Sequence, residues 1–174
     1  DCPANFDALQ TLATDNKAAG KTAGEQMLAG LKAKGIEKGK IGIVTVNAAT
    51  MSTVLREEGF RAAFEGKGFD ILETQYGEGQ VDKSQQIATN YITEGCVGIF
   101  GANEGSTVGA GNAIAEAGGK VVGVGFDKSD AVLQHIKNGN GLKWQDEIFT
   151  NLLLLDGRWK THFTGINAAA GRFP

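Results

Sequence analysis

The chain is predicted to fold as an α/β protein, a doubly wound parallel sheet with helices on both faces. Three observations predict it. Short apolar runs recur along the chain: Ile41-Gly42-Ile43-Val44, Val97-Gly98-Ile99-Phe100 and Val121-Val122-Gly123-Val124. Runs of this length with no polar face read as strands buried on both sides. Segments with helical spacing lie between them, and the connections are short, which is the grammar of strand–helix–strand units with right-handed crossovers.

The elements follow in order. Asp15-Asn16 can cap a helix from about Lys17 to Lys34, with Ala18, Ala23, Met27 and Leu31 near the helical period and Gly35 as its stop. The run 41–46 is a strand. Residues 50–64 are helical, with Leu55, Phe60 and Phe64 as the inward face. The run 69–74 returns as a strand, and Asp82 caps a helix through Tyr91 and Ile92. A strand at 97–100, a helix at 106–117, a strand at 121–124 and a short helix at 129–137 capped by Ser129 complete the alternation. Asn138-Gly139-Asn140-Gly141 is a turn signal, after which the pattern breaks. One further helix is predicted over 144–155, followed by a stretch with little periodicity.

Composition narrows the class. The chain has 174 residues, 41% hydrophobic and 21% charged, enough for one domain with a real core. A net charge of −3 gives no support for a nucleic-acid or anionic-membrane surface, so no nucleic-acid partner is expected. Glycine is frequent at 26 residues and proline scarce at 2. Many glycines fall at strand and helix ends, where tight turns and close backbone approach are needed. No stretch is long and apolar enough for a transmembrane helix. The two cysteines, Cys2 and Cys96, match no zinc pattern and are too few for a disulfide scaffold. Cys96, just before a strand, reads as a buried thiol. A Cys2–Cys96 bridge is the sharper alternative, but Cys96 belongs at the amino end of its strand, away from the edge expected for residue 2.

In an open α/β sheet, ligands bind outside the carboxyl ends of the strands. Asn103 follows one apolar run and Asp127 the next, which places them side by side at that edge. The Asn103 amide can both give and accept hydrogen bonds, as vicinal hydroxyls require. The Asp127 carboxylate accepts charge-assisted bonds. Each also has a plainer reading, as a turn asparagine and as a helix cap. Arg56, early in the helix after the first strand, offers five fixed donors that can fork onto neighbouring oxygens. Phe126 is an apolar wall of the site or plain core. Asn47, after the strand ending at Val46, is a further candidate. Gly109-Ala110-Gly111 superficially resembles a dinucleotide fingerprint, yet falls inside a predicted helix and lacks the spacing. No metal-ligand cluster or nucleophile elbow is present, and His135 and His162, the only histidines, have no nucleophile motif beside them. Enzyme activity, cofactors and metals are therefore not expected.

Four segments in order carry a resemblance: Leu12-Ala13-Thr14-Asp15-Asn16-Lys17-Ala18-Ala19-Gly20, Arg56-Glu57-Glu58-Gly59-Phe60, Gly101-Ala102-Asn103-Glu104 and Gly123-Val124-Gly125-Phe126-Asp127. Together they resemble the second lobe of the ribose-binding-protein-like family, the sugar-binding proteins of bacterial ABC importers. The same fold forms the effector domain of lactose-repressor-type regulators. The resemblance covers about residues 1–139 and implies one lobe starting at the hinge, with 140–174 an atypical C-terminal extension. It implies that Arg56 is the cleft arginine, that Asp1 stands where the family has a cleft aspartate, and that Gln145 lies near the hinge glutamine, though with different flanks. It further implies closure on a monosaccharide or similar polyol, a membrane permease as partner, and a periplasmic or other extracytoplasmic location after removal of a signal. A transcription regulator's effector domain is the alternative. A lobe without its partner would also expose a face prone to self-association.

Overall fold

In a computed structural model, residues 14–138 can be described. The expectations for Asp1, Cys2, Gln145, His162, the helix at 144–155 and the extension at 140–174 lie outside these residues. The described part alternates helix and strand: α1 (Asn16–Ala33), β1 (Gly39–Thr45), α2 (Met51–Ala63), β2 (Phe69–Ile71), β3 (Gln75–Tyr76), α3 (Val81–Thr93), β4 (Cys96–Gly101), α4 (Glu104–Glu116), β5 (Val122–Gly125) and α5 (Asp130–Lys137). The strands form one parallel sheet in the order β2-β1-β4-β5, with β3 also pairing with β1. The predicted fold class is the one observed.

The two faces follow from strand alternation. Ile41, Ile43 and Phe100 join Met27 and Leu31 of α1 and Phe60 of α2 in one core cluster. Val44 and Ile99 point the other way and pack with Ala88 and Tyr91 of α3 and Ala113 and Ile114 of α4. Through the first cluster runs a file of aromatic rings. Phe64 meets Phe60 at 5.0 Å, Phe60 stacks on Phe100 at 4.3 Å and 3°, and Phe100 meets Phe126 edge-on at 6.0 Å. Offset and edge-on pairs suit the ring quadrupole and add to burial. The file ends at the carboxyl edge of the sheet.

Local chemistry sets the helix starts. The Asp15 side chain accepts from Ala18 N–H and the Ser129 side chain from Val132 N–H, as expected of caps. Asp82 does not cap α3: the helix begins one residue earlier, at Val81, with Gln80 in the cap position, and Asp82 sits in the first turn. Helix α4 begins at Glu104 rather than Ser106, because Asn103 caps it. Two expected inward residues differ. Ala18 is exposed while Ala19, Gly20 and Ala23 are buried, and Leu55 is only half-buried while Thr53, Gly59 and Phe60 are buried. The buried faces are turned this way because α1 and α2 touch through glycines: a Cβ on Gly20 would stand 2.0 Å from the Arg56 carbonyl oxygen, and one on Gly59 2.0 Å from that of Lys17.

Of the strand expected over 69–74 only β2, residues 69–71, forms, and β3 follows at 75–76. The Leu72 N–H still donates to the Ile41 carbonyl at 2.9 Å, but side chains from both sheet faces take the carbonyls of residues 72 and 73. Arg61 Nη2 donates to the Leu72 carbonyl at 3.1 Å. The Tyr91 hydroxyl donates to the Glu73 carbonyl at 2.6 Å and stands 3.1 Å from that of Ile43. Backbone groups satisfied by side chains lose the drive to pair with a strand. Cys96 is a buried, free thiol at the amino end of β4, and burial pushes its pKa up to about 11.

Candidate functional site

The carboxyl ends of β4 and β5 are pressed together by α4. Gly101 and Gly125 make this approach possible: a Cβ on Gly101 would stand 2.6 Å from Thr107 N, and one on Gly125 2.3 Å from Thr107 Oγ1. Thr107, buried on α4, accepts the Phe126 N–H at 2.9 Å. Its hydroxyl lies 2.8 Å from the Asn103 carbonyl oxygen and 2.9 Å from that of Phe126, within donating reach of both. One hydroxyl therefore fixes the two chain segments that carry Asn103 and Asp127.

Asn103 and Asp127 both address the amino end of α4. Asn103 Oδ1 accepts the Ser106 N–H at 3.2 Å, and Asp127 Oδ2 accepts the Glu104 N–H at 2.9 Å. The helix dipole favours the carboxylate there. Asp127 holds φ of +70°, a left-handed conformation that a short polar side chain tolerates better than most. These plainer capping roles use one atom of each side chain. Asn103 retains its amide nitrogen as donor and Asp127 its second oxygen as acceptor.

Arg56 reaches the same place from α2. Its Nη1 donates to the Ala102 carbonyl at 2.8 Å, one residue before Asn103, and its Nε donates to Asn16 Oδ1 at 2.9 Å. The guanidinium lies 4.1 Å from the centroid of the Phe126 ring, in cation–π range. Burial lowers its pKa, and the negative charge of Asp127 works in the opposite direction. The group stays a cation. Two of its five N–H bonds are spent, which leaves an edge of three donors beside the spare acceptor of Asp127 and the spare donor of Asn103. A hydroxyl gives one hydrogen bond and accepts up to two, so a surface mixing these groups is complementary to a polyol rather than to an apolar or purely anionic molecule.

The structure thus brings Arg56, Asn103 and Asp127 together. Phe126 joins them from beneath: it is 0% exposed and meets the site through the guanidinium, so it backs the arginine and leaves no ring surface for a ligand. Asn47 is exposed, and its Oδ1 is occupied by the Ala49 and Thr50 N–H groups, both at 2.8 Å, in a local turn. Asp1 and Gln145 are outside the described residues. Two residues escaped the reading of the sequence as site components, Asn16 and Thr107. Asn16 stood in a quoted segment but read only as part of a cap. Nothing around Thr107 marked it apart from other helical threonines.

Among the described residues, no group of three or more His, Cys, Asp or Glu could hold a metal ion. Among them also, no helix is long and apolar enough to cross a membrane.

Comparison with known proteins bears on the family and the fold. Residues 1–145 match the family model described as a periplasmic binding protein domain. The D-ribose/D-allose-binding protein of Pseudomonas aeruginosa is 27% identical over 161 residues, spanning 85% of this chain and 49% of that protein. The ribose import binding protein of Haemophilus influenzae is 31% identical over 138 residues, spanning 78% of this chain and 46% of that one. The chain therefore spans about half the length of these curated relatives. Among solved structures, a carbohydrate transporter solute binding protein of Agrobacterium radiobacter in complex with D-arabinose superposes with a TM-score of 0.69 at 34% identity, covering 73% of this chain and 45% of its own. An ABC transporter solute binding protein of Agrobacterium vitis with bound D-fucose gives 0.68 at 32% identity, covering 74% and 45%. A parallel α/β sheet with a polar cluster at its carboxyl edge and a family match over most of its length lead to one conclusion: the chain belongs to the family of periplasmic binding protein domains.

Proposed function

We propose that this chain is the second lobe of a sugar-binding protein serving a bacterial ABC importer, holding one side of a monosaccharide or similar polyol and performing no catalysis. The observation that carries the reading is the convergence of Arg56, Asn103 and Asp127, each with one part fixed by the scaffold and another left for a ligand. The relatives support it: those named above bind ribose, allose or another sugar, one as an import binding protein and two as transporter solute binding proteins, which favours transport over a regulator's effector domain. In this reading a second lobe closes over the ligand by a hinge motion, a membrane permease receives the closed form, and the protein works outside the cytoplasm. Asp1, Asn47 and Gln145 remain candidate contacts of the complete cleft.

A lobe alone keeps about half the contacts. If the complete site binds at about micromolar Kd, near −8 kcal/mol, half of that free energy leaves an affinity on the order of millimolar. Titration of the 174-residue chain with D-ribose, D-allose, D-arabinose and D-fucose, followed by amide NMR shifts, is expected to show weak saturable binding. The shifts should centre on residues 101–104 and 125–127, and Arg56→Ala should abolish them. Micromolar affinity would overturn the half-site, and shifts scattered away from these strand ends would overturn the site itself.

The same rim carries Met51 and Tyr76, the exposed large hydrophobics among the described residues, at 53% and 43% exposure. Self-association through this face is expected. Light scattering should read a mass that grows with concentration, and a constant monomer mass would exclude it.

A further inference from the structure

We propose that Asn16 is a positioning residue of the binding site, fixing the Arg56 guanidinium so that its free edge faces the ligand. The inference rests on the sugar-site reading above and names a component of that site that does not itself touch the ligand.

Asn16 is the first residue of α1. Its Nδ2 donates to the Thr14 carbonyl at 3.1 Å, and its Oδ1 accepts from Arg56 Nε at 2.9 Å. The two bonds define the amide orientation without ambiguity. A guanidinium only donates, so it must face the oxygen, and a carbonyl only accepts, so it must face the nitrogen. The amide is thus a short bridge from the backbone before α1 to the arginine, 40 residues away in sequence.

Three constraints then act on the guanidinium. Asn16 holds the Nε side, the Ala102 carbonyl holds Nη1, and the Phe126 ring lies across one face. The ring and the carbonyl alone leave rotation about the bond to Nη1, while the Nε contact removes it. What remains free is the edge formed by Nη2 and the second Nη1 hydrogen. A planar fork with a fixed edge loses little freedom when it binds two neighbouring oxygens, which is the condition for tight, orientation-selective recognition. Helix α1 grips the arginine twice, since Asn16 and Gly20 are four residues apart on one helix face. Asn16 meets the Arg56 side chain, and Gly20 lies against its backbone carbonyl, where a Cβ would stand 2.0 Å from the oxygen.

The test uses the 174-residue chain with the Arg56 Nε–H resonance as readout, assigned by its loss in Arg56→Lys. In the native chain this proton is expected to exchange slowly with water. Asn16→Ala should speed the exchange at least tenfold and weaken D-ribose binding about tenfold, the effect of losing one hydrogen bond to a charged group, with circular dichroism unchanged. Asn16→Asp keeps the acceptor for Arg56 but loses the bond to the Thr14 carbonyl, so it should recover only part of the slow exchange and of the affinity. In the Arg56→Lys background, Asn16→Ala should cost no further affinity.

Exchange in the native chain as fast as in a free arginine would overturn the proposal even if Asn16→Ala failed to fold. An equal loss of affinity in the Arg56→Lys background would also overturn it. Slow exchange that depends on Asn16, in a chain that responds to no monosaccharide, would uphold the bridge and bring down the sugar-site reading instead.

Discussion

Gly20→Ala is expected to destabilise the protein by about 3 kcal/mol and to disturb the environment of Arg56 at the same time. The added Cβ would stand 2.0 Å from the Arg56 carbonyl oxygen, 2.7 Å from its carbonyl carbon and 2.8 Å from its Cα. All three atoms are backbone, so no rotamer change relieves the overlap. Helices α1 and α2 would have to part by more than an ångström. Their crossing is equally close at Gly59, whose Cβ would meet the Lys17 carbonyl oxygen at 2.0 Å. Parting them would lengthen the Asn16–Arg56 bond, which spans the same seam. Gly30→Ala is the matched control. It lies on the same helix, but its Cβ would meet only the Val122 side chain, with Cγ1 at 3.1 Å. There the gain in helix propensity, up to about 1 kcal/mol, roughly offsets a small push on a side chain. Urea denaturation of the two variants, with amide spectra of residues 54–58, separates the outcomes. Equal stability of both variants would show that backbone contact at Gly20 does not fix the crossing.

Thr107→Val is expected to cost about 2 kcal/mol, although it preserves shape and burial, because it leaves the buried Phe126 N–H without an acceptor. For a chain of this length that corresponds to a fall in Tm of roughly 4–8 °C. The hydroxyl also lies within donating reach of the Asn103 and Phe126 carbonyls, so its loss acts on both segments that carry the proposed ligand contacts. Sugar binding should weaken in parallel. Thr107→Ser keeps the oxygen and should remain within about 1 kcal/mol of the native chain, the cost of one lost methyl group. Thermal denaturation of the pair decides the matter. A valine variant as stable as the serine variant would show that the Phe126 amide finds another partner.

Both effects rest on features with different visibility in the sequence. The strands β1, β4 and β5 were legible because both faces of a central parallel strand must be apolar, and each reads as an unbroken run. The caps Asp15 and Ser129 were legible because they act within three residues of themselves. The break between β2 and β3 was not, because it is imposed by Arg61 and Tyr91, which lie on helices packed against opposite sheet faces. Asn103 and Asp127 presented a choice between capping and binding; the structure shows the capping bonds, and because each uses one atom, they leave the binding role open to the other. Phe126 was read as wall or core, and its full burial beneath Arg56 makes it core that orders the site from below. Asn16 and Thr107 went unseen as site components for a common reason. The partners that give them meaning lie 40 and 19 residues away, a distance at which spacing carries no signal.

The interrupted outer strand also bears on how the protein keeps company with itself at high concentration. Among the described residues, that side of the sheet ends in segments of only three and two residues, separated by backbone already committed to an arginine and a tyrosine. A neighbouring molecule seeking to extend the ladder finds no continuous row of free amides and carbonyls to copy. A domain rich in apolar strands is thereby guarded against fibrous stacking along this flank.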